Sequence, residues 1–542
     1  MPTKILNPLV LDSVGIYGLN TQANAASLDH RWLVNADNIM LNSEGRLTSR
    51  KGIQAITDSI GNYPVESIHN HVNTDGTLTL FSAGNNNIYE LDDSTVPYTQ
   101  TAVTFSGTHQ TITGNNWQWI QYDGDTLGVQ AGHTPIHYDG TTWEDLTTVH
   151  SSQPSGVTVF DPSTIISEFG RGWAGGISED KETVFYTQSA NLHEWHATGA
   201  GAINMRTVWG FDEVVALASF NGKLVIFGKD NIALYNNPYD PSSDGFVLDE
   251  VIKGVGCVAR DSVHTYGDDL LFLAADGVRS LNRTTIQDKV PLTDLTKNVK
   301  NDIIKHISAS ESEDIKAQYN QSGSYYILSF TGINETYILD FKAINPDGTP
   351  RITKWLFDNI RKPHSFLSLS NGKLYLGLGN ADTLAQRQFN GVVAEYDNYF
   401  DIDLDPSDNS TISKTYQTTF KTVWMDFGRP YAAKLLKQFA CVIDGGREQD
   451  VTVKWFRDYN TAQGNSVTFS LIPASTGSAS LYGASSTLYS SSKFAPLFFP
   501  KEYRVNMSKS AKVVQIEMIN VIKGYKGSLQ SMTVLAKEGK TR

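Results

Sequence analysis

The sequence predicts a mainly β protein: a β-propeller of antiparallel blades with one short inserted helix, followed by a C-terminal β-sandwich-like module. Three observations predict it. Strand–turn–strand segments recur at Val65–Glu90, Trp117–Tyr138, Arg171–Tyr186, Val214–Tyr235, Ser262–Leu281, Ile315–Leu339 and Phe366–Tyr396. Their starts lie roughly 43–54 residues apart, near the spacing of propeller blades. The 542 residues include 44 Gly, 24 Tyr, 24 Phe and 10 Trp, a composition suited to short strands joined by tight turns. The net charge changes sign at an acidic, turn-rich stretch, 401–410.

Residues 1–60 read as an N-terminal arm whose strands join the propeller, and 61–400 as the propeller itself. Two repeats share a turn: Phe220-Asn-Gly-Lys-Leu224 and Ser370-Asn-Gly-Lys-Leu374. Asn-Gly is the dipeptide preferred where a two-residue hairpin turn needs positive φ. Asp75-Gly76, Gly267-Asp268 and Gly323 sit at equivalent places in other repeats. The flanks are apolar on both faces, as in strands buried between neighbouring blades. A parallel βαβ array would need a helix between successive strands. One amphipathic helix is legible, with Thr293 or Asp294 as cap and Leu295, Val299, Ile303, Ile304 and Ile307 on one face. Seven hairpin units would overfill one sandwich, which favours a propeller.

Asp401–Ser410 reads as an acidic linker. Beyond it, 411–542 carries alternating runs typical of a sandwich, among them Thr415–Met425, Gln438–Ile443, Val451–Phe456 and Val513–Ile519. The Ser/Gly/Ala/Thr-rich stretch 474–492 is expected to be a long mobile loop.

Composition sets limits. No run approaches the length of a membrane-spanning helix, and the first residues lack the basic flank and apolar run of a signal peptide. Two cysteines, Cys257 and Cys441, exclude a disulfide scaffold and fit assembly in a reducing cytoplasm. Residues 411–542 hold 18 Lys+Arg against 8 Asp+Glu, net +10, whereas 1–410 hold 26 against 49, net −23. The acidic body argues against tight nucleic-acid binding, because phosphate contacts need Lys and Arg. The asymmetry fits either two modules meeting different surfaces or two modules with separate solubility charge.

The candidate chemical motifs fail on context. Gly254-Val-Gly-Cys-Val-Ala259 matches a dinucleotide fingerprint, but strand and turn residues follow where a helix N-terminus is required. His193-Glu-Trp-His196 has its histidines three apart and no helix around them, so it reads as a surface loop. Asp401, Asp403, Asp405 and Asp408 start with calcium-loop spacing, but Pro406 and Ile412 replace the turn Gly and the closing Glu. Tyr138-Asp-Gly-Thr-Thr-Trp143 reads as a hairpin turn backed by a buried Trp. There is no P-loop and no nucleophile elbow. No enzyme activity, catalytic residue, cofactor or metal is expected.

Several stretches, in order, resemble the tail hub or nozzle proteins of short-tailed bacteriophages, also called packaged-DNA stabilisation proteins. They are Asn38–Ile53 after Gly18-Leu-Asn-Thr21, Arg171-Gly-Trp-Ala-Gly-Gly-Ile177 with Val184–Gln188, Val214–Tyr235, the helix after Val290-Pro-Leu292, and Trp424-Met-Asp-Phe-Gly-Arg-Pro430. The resemblance implies a propeller-containing virion subunit assembled in the host cytoplasm. It implies a homohexameric ring below the portal and adaptor (head–tail connector) proteins, and a channel through which DNA passes without sequence-specific binding. Tail fibres or spikes are further possible partners. The function implied is retention of packaged DNA and its release at ejection. The alternative is a glycan-binding or glycan-cleaving propeller of a virion or secreted protein. For docking onto a partner, Lys434 and Lys437 are the expected rim cations, and Tyr482 and Tyr489 the expected adhesive side chains of the loop.

Overall fold

A computed structural model describes residues 7–11, 13–146, 153–282, 294–358, 362–379, 390–404, 411–446, 449–471 and 499–538. Among these residues, seven antiparallel blades follow one another along the chain, five as separate small sheets and the last two as parts of larger sheets. Blade 1 comprises Ser67–Val72, Leu78–Gly84, Asn87–Asp92 and Thr99–Ala102. Blade 2 comprises Gln118–Tyr122, Asp125–Gln130, His133–Tyr138 and Trp143–Asp145, and blade 3 Thr164–Glu168, Arg171–Gly175, Thr183–Tyr186 and Gly201–Asn204. Blade 4 comprises Val214–Phe220, Lys223–Gly228, Asn231–Asn236 and Val247–Lys253. Blade 5 shows three strands, His264–Tyr266, Asp269–Ala274 and Gly277–Ser280. Blade 6 comprises Ile315–Asn320, Tyr325–Phe330, Glu335–Ile344 and Pro350–Trp355, and blade 7 Pro363–Ser368, Leu374–Leu378 and Val392–Tyr396.

The first strands of successive blades lie side by side, with the 3-10 turn Arg260–Ser262 serving between blades 4 and 6. Pro363–Ser368 returns beside Ser67–Val72 and closes the ring, so the body is a β-propeller. The fourth strand of blade 7 comes from the N-terminal arm: Ile53–Ala55 pairs antiparallel with Val392–Tyr396. Interlocking the two ends of the ring in one sheet resists its opening.

All seven repeats read from the sequence fall on blades. The shared turn sits at the first hairpin of blades 4 and 7, but its geometry differs. Asn221 and Gly222 both take positive φ, +49° and +74°, as a two-residue turn requires. In blade 7 only Gly372 does, and a longer loop closes through Leu369 N–H donating to Lys373 O. The Arg171–Tyr186 unit begins one strand late, because Thr164–Glu168 is the inner strand of blade 3. The expected α-helix spans Lys300–Ser308, entered by a 3-10 turn at Lys297–Val299, and a second, four-residue helix, Arg206–Trp209, stands ahead of blade 4. Leu295, Val299 and Ile303 are buried, whereas Ile304 is exposed. Asp294 accepts from the Thr296 N–H and hydroxyl, and Thr293 lies outside the described residues.

The C-terminal strands form two facing sheets, but not behind a free linker. Blade 6 continues through Gly18–Leu19 and Trp32–Asp37 into Tyr416–Thr422, Val514–Ile522, Asp450–Arg457 and Asn460–Ser470, making one ten-stranded sheet. The opposing sheet joins Phe499–Ala511, Lys434–Gly445 and Ser528–Glu538 to Asn7–Leu11, Ile39–Leu41 and Leu47–Ser49. A single apolar core runs from Leu271, Tyr326 and Leu339 in the blades to Phe439, Val453 and Ile516 in the module. The arm therefore divides: its last strand closes the propeller, and its earlier strands bridge to or complete the sandwich.

The expected acidic linker is corrected at its start. Asp401–Leu404 is a strand, paired antiparallel with Thr411–Lys414 and in parallel with Ile53–Ala55. Asp401 is buried, because its carboxylate accepts from Arg50 and from the Ile53 N–H. Residues 405–410 and the loop 474–492 lie outside the described residues. No described helix is long and apolar enough to cross a membrane.

Candidate functional site

The inner strands of blades 1 to 6 are each preceded, within three residues, by a polar or charged side chain: Glu66, Asn116, Ser163, Glu213, Asp261 and Glu313. The ring brings these positions to one end of the propeller axis. They surround a basin of about 820 Å³ whose lining includes six carboxylates and three cations. Glu213 pairs with Lys181 at 3.2 Å and with Lys229. Burial acts to raise the Glu213 carboxyl, but these two ammonium groups outweigh it and hold the group below its ordinary value. Glu66 is different. Burial raises its carboxyl and outweighs both a long contact from Asn115 and the charge of Lys316.

The axis is crossed below the basin by a polar bar. Arg260 of blade 5 donates to Ser163 O at 2.6 Å in blade 3 and to Asn116 Oδ1 at 2.9 Å in blade 2. Its Nε also pairs with Asp261 at 2.8 Å. Lys316 from the inner strand of blade 6 donates to Asp261 at 2.6 Å and to Asn116. Burial alone would raise the Asp261 carboxyl, but the charges of Arg260 and Lys316 hold it well below the usual carboxylate range. On the other side of the bar a smaller space, about 240 Å³, is lined by His69, Trp117, Trp119 and Phe366. His69 stacks on Trp119 with ring centroids 5.4 Å apart. Burial, and then neighbouring His71, lower its imidazole to about 3.

The bar was not legible as a site. Its one sequence signal is a charged residue just ahead of an apolar strand, and no spacing rule connects Asn116, Arg260 and Lys316. The rejected motifs behave as their context demanded. Gly254–Ala259 leads into the 3-10 turn, and His193–His196 is not helical. His193 nevertheless has a partner the sequence does not reveal, since its Nε2 lies 2.9 Å from Nε2 of His137 in blade 2. The Tyr138–Trp143 turn is held by Asp139, which accepts from the N–H groups of Thr141 and Thr142, over a buried Trp143.

The expected interface residues separate. Lys434 is buried, with Nζ donating to Arg429 O at 2.7 Å, Lys512 O at 2.8 Å and Ala432 O at 3.1 Å. It ties the turn at 429–432 to Lys512 inside the module, so its placement at a solvated rim is corrected. Lys437 is half-buried, at the irregularity between Leu436 and Gln438. Tyr482 and Tyr489 lie outside the described residues. Tyr431, just ahead of this strand, is the exposed aromatic, 84% accessible. Part of the module's positive charge is met locally, because Lys421 and Lys454 both pair with Glu517. Both cysteines are free and buried.

No protein-family model and no curated protein matches the chain. Among solved structures it is similar to a streptogramin B lyase at 12% identity, covering 64% of this chain and 93% of that one, with a TM-score of 0.36. It is similar to YCF48 bound to D1 peptide at 9% identity, covering 64% and 98%, with a TM-score of 0.37. It is also similar to the Neurospora crassa Pan2 WD40 domain at 10% identity, covering 66% and 98%, with a TM-score of 0.37. Likeness of this depth carries nothing about activity or partners, and the propeller assignment rests on the seven blades themselves.

Proposed function

We propose that this chain is a structural subunit of a nozzle or hub ring in the tail of a short-tailed bacteriophage, retaining packaged DNA and letting it pass at ejection. The ordered resemblance from Gly18 to Pro430 motivates the reading. The observation that carries it is the ten-stranded sheet running from blade 6 into the C-terminal module. It joins propeller and sandwich into one block, as a subunit under load in a ring needs. The bar of Arg260, Asp261 and Lys316 blocks a single propeller axis, so a DNA passage would run between copies. An excess of negative charge on 1–410 suits a conduit surface, since like charge discourages sticking to sliding phosphates.

A glycan-binding propeller is the second reading, favoured by the acidic basin. Its described lining contains no aromatic ring on which a sugar could stack, which makes it the weaker of the two. Negative-stain imaging of the purified full chain, alone and with virion lysate, tests the proposal. Sixfold rings are expected. A monomer under both conditions, together with saturable binding of oligosaccharide at the basin, would replace it with the second reading.

A further inference from the structure

Between blades 2 and 3 three side chains from separate segments aim donor atoms at one point. Asp125 opens the second strand of blade 2, His137 lies on the third, and His193 comes from the connection between the third and fourth strands of blade 3. His137 Nε2 and His193 Nε2 are 2.9 Å apart. Asp125 Oδ1 lies 3.4 Å from the first and Oδ2 3.2 Å from the second. Tetrahedral coordination with bonds of about 2.0–2.1 Å places its donors about 3.3 Å apart. The three separations bracket that value.

The surroundings also match a metal centre. Glu144, on the fourth strand of blade 2, lies 3.0 Å from His137 Nδ1. That contact places the imidazole proton on Nδ1 and turns the Nε2 lone pair toward the cluster, as the carboxylate behind a ligating histidine does. The histidine loop is set in place beforehand. Leu192 and Trp195 on either side are buried in the core shared by blades 2 and 3, and the His193 N–H donates to Asn191 Oδ1 at 2.7 Å.

We propose that Asp125, His137 and His193 bind a first-row divalent cation of the Zn²⁺ class, with Glu144 as the positioning residue behind His137. Two imidazoles and one carboxylate suit Zn²⁺ and leave a fourth position open to water. The ion fastens the third connection of blade 3 to blade 2, an inter-blade staple away from the axis. His196, which the sequence spacing pairs with His193, is exposed and takes no part.

The test uses the full chain, stripped with chelator and titrated with Zn²⁺ by calorimetry and with Co²⁺ by visible absorption. The parent is expected to bind a single ion per chain, to show the intense visible bands of four-coordinate Co²⁺, and to melt at a higher temperature with Zn²⁺ than without. His193→Ala, a loop substitution, should abolish all three responses. Glu144→Gln should weaken binding about 10–100-fold. His196→Ala should bind as the parent does. A parent that binds neither ion, or a His193→Ala variant that binds like the parent, would overturn the proposal.

Discussion

Arg50 and Asp401, 351 positions apart, form a buried ion pair with Nη1 and Oδ1 separated by 3.3 Å. The guanidinium also stacks over the Tyr416 ring at 4.2 Å and donates from Nε to Asn38 Oδ1. One charged contact thus fastens the N-terminal arm, the end of blade 7 and the first long strand of the C-terminal module. Removing one partner leaves a buried charge uncompensated, at a cost of about 3–5 kcal/mol. Asp401→Leu should destabilise by that amount in urea unfolding. The double change Arg50→Met with Asp401→Leu should cost clearly less, because no charge is then stranded. Equal losses in the two variants would contradict this account.

Gly52 stands next to that pair, where the arm enters blade 7. A Cβ built on it would lie 1.9 Å from the backbone oxygen of Phe400. Backbone cannot rotate aside as a side chain can. Gly52→Ala should therefore cost about 3 kcal/mol, near the upper end of overpacking effects. Gly76, at the first hairpin of blade 1, has open space around its Cβ position but a φ of +84°. Gly76→Ala should cost about 1 kcal/mol from backbone strain alone. Thermal melts of the two variants check the ranking.

His364 gives the stability a pH dependence. Burial, and then the positive charges of Lys362 and Lys316, lower its imidazole from 6.5 to about 4. Its Nε2 has no hydrogen-bond partner among the described residues. Above pH 6.5 the group is neutral in both folded and unfolded chains and contributes no slope. Between 6.5 and 4 the unfolded chain takes up a proton that the folded chain refuses, so stability falls as the pH is lowered. His364→Asn should flatten this part of the urea-midpoint profile. An unchanged slope would assign it to other groups.

Lys434 should behave as a structural residue. Its ammonium satisfies three backbone carbonyls, so Lys434→Met should cost about 2–4 kcal/mol by leaving them unpaired. Lys437→Glu, on a half-buried neighbour, should shift stability by about 0.5 kcal/mol or less. If ring assembly is salt-sensitive, that sensitivity should follow Lys437 and leave the melting temperature unchanged.

The β class, the blade repeat and the first-hairpin turns were legible in the sequence, because each is written in local periodicity and turn chemistry. Asn221-Gly222 marks a hairpin wherever it stands. The same locality hid the rest. Ile53–Ala55 is a three-residue strand whose place beside Val392–Tyr396 is settled by hydrogen bonds to a segment some 340 residues away. Asp401 looked solvated because its neighbours are acidic, and Lys434 looked like a rim cation because its neighbours permit one. Burying a charge costs several kcal/mol unless a partner meets it, and the partner can come from anywhere in the chain. The tertiary structure supplied Arg50 to Asp401, and carbonyls from Arg429, Ala432 and Lys512 to Lys434. It also set His193 against His137 and Asp125, which no sequence spacing relates. Local sequence chose which segments would be strands, and long-range pairing and charge compensation chose where each one went.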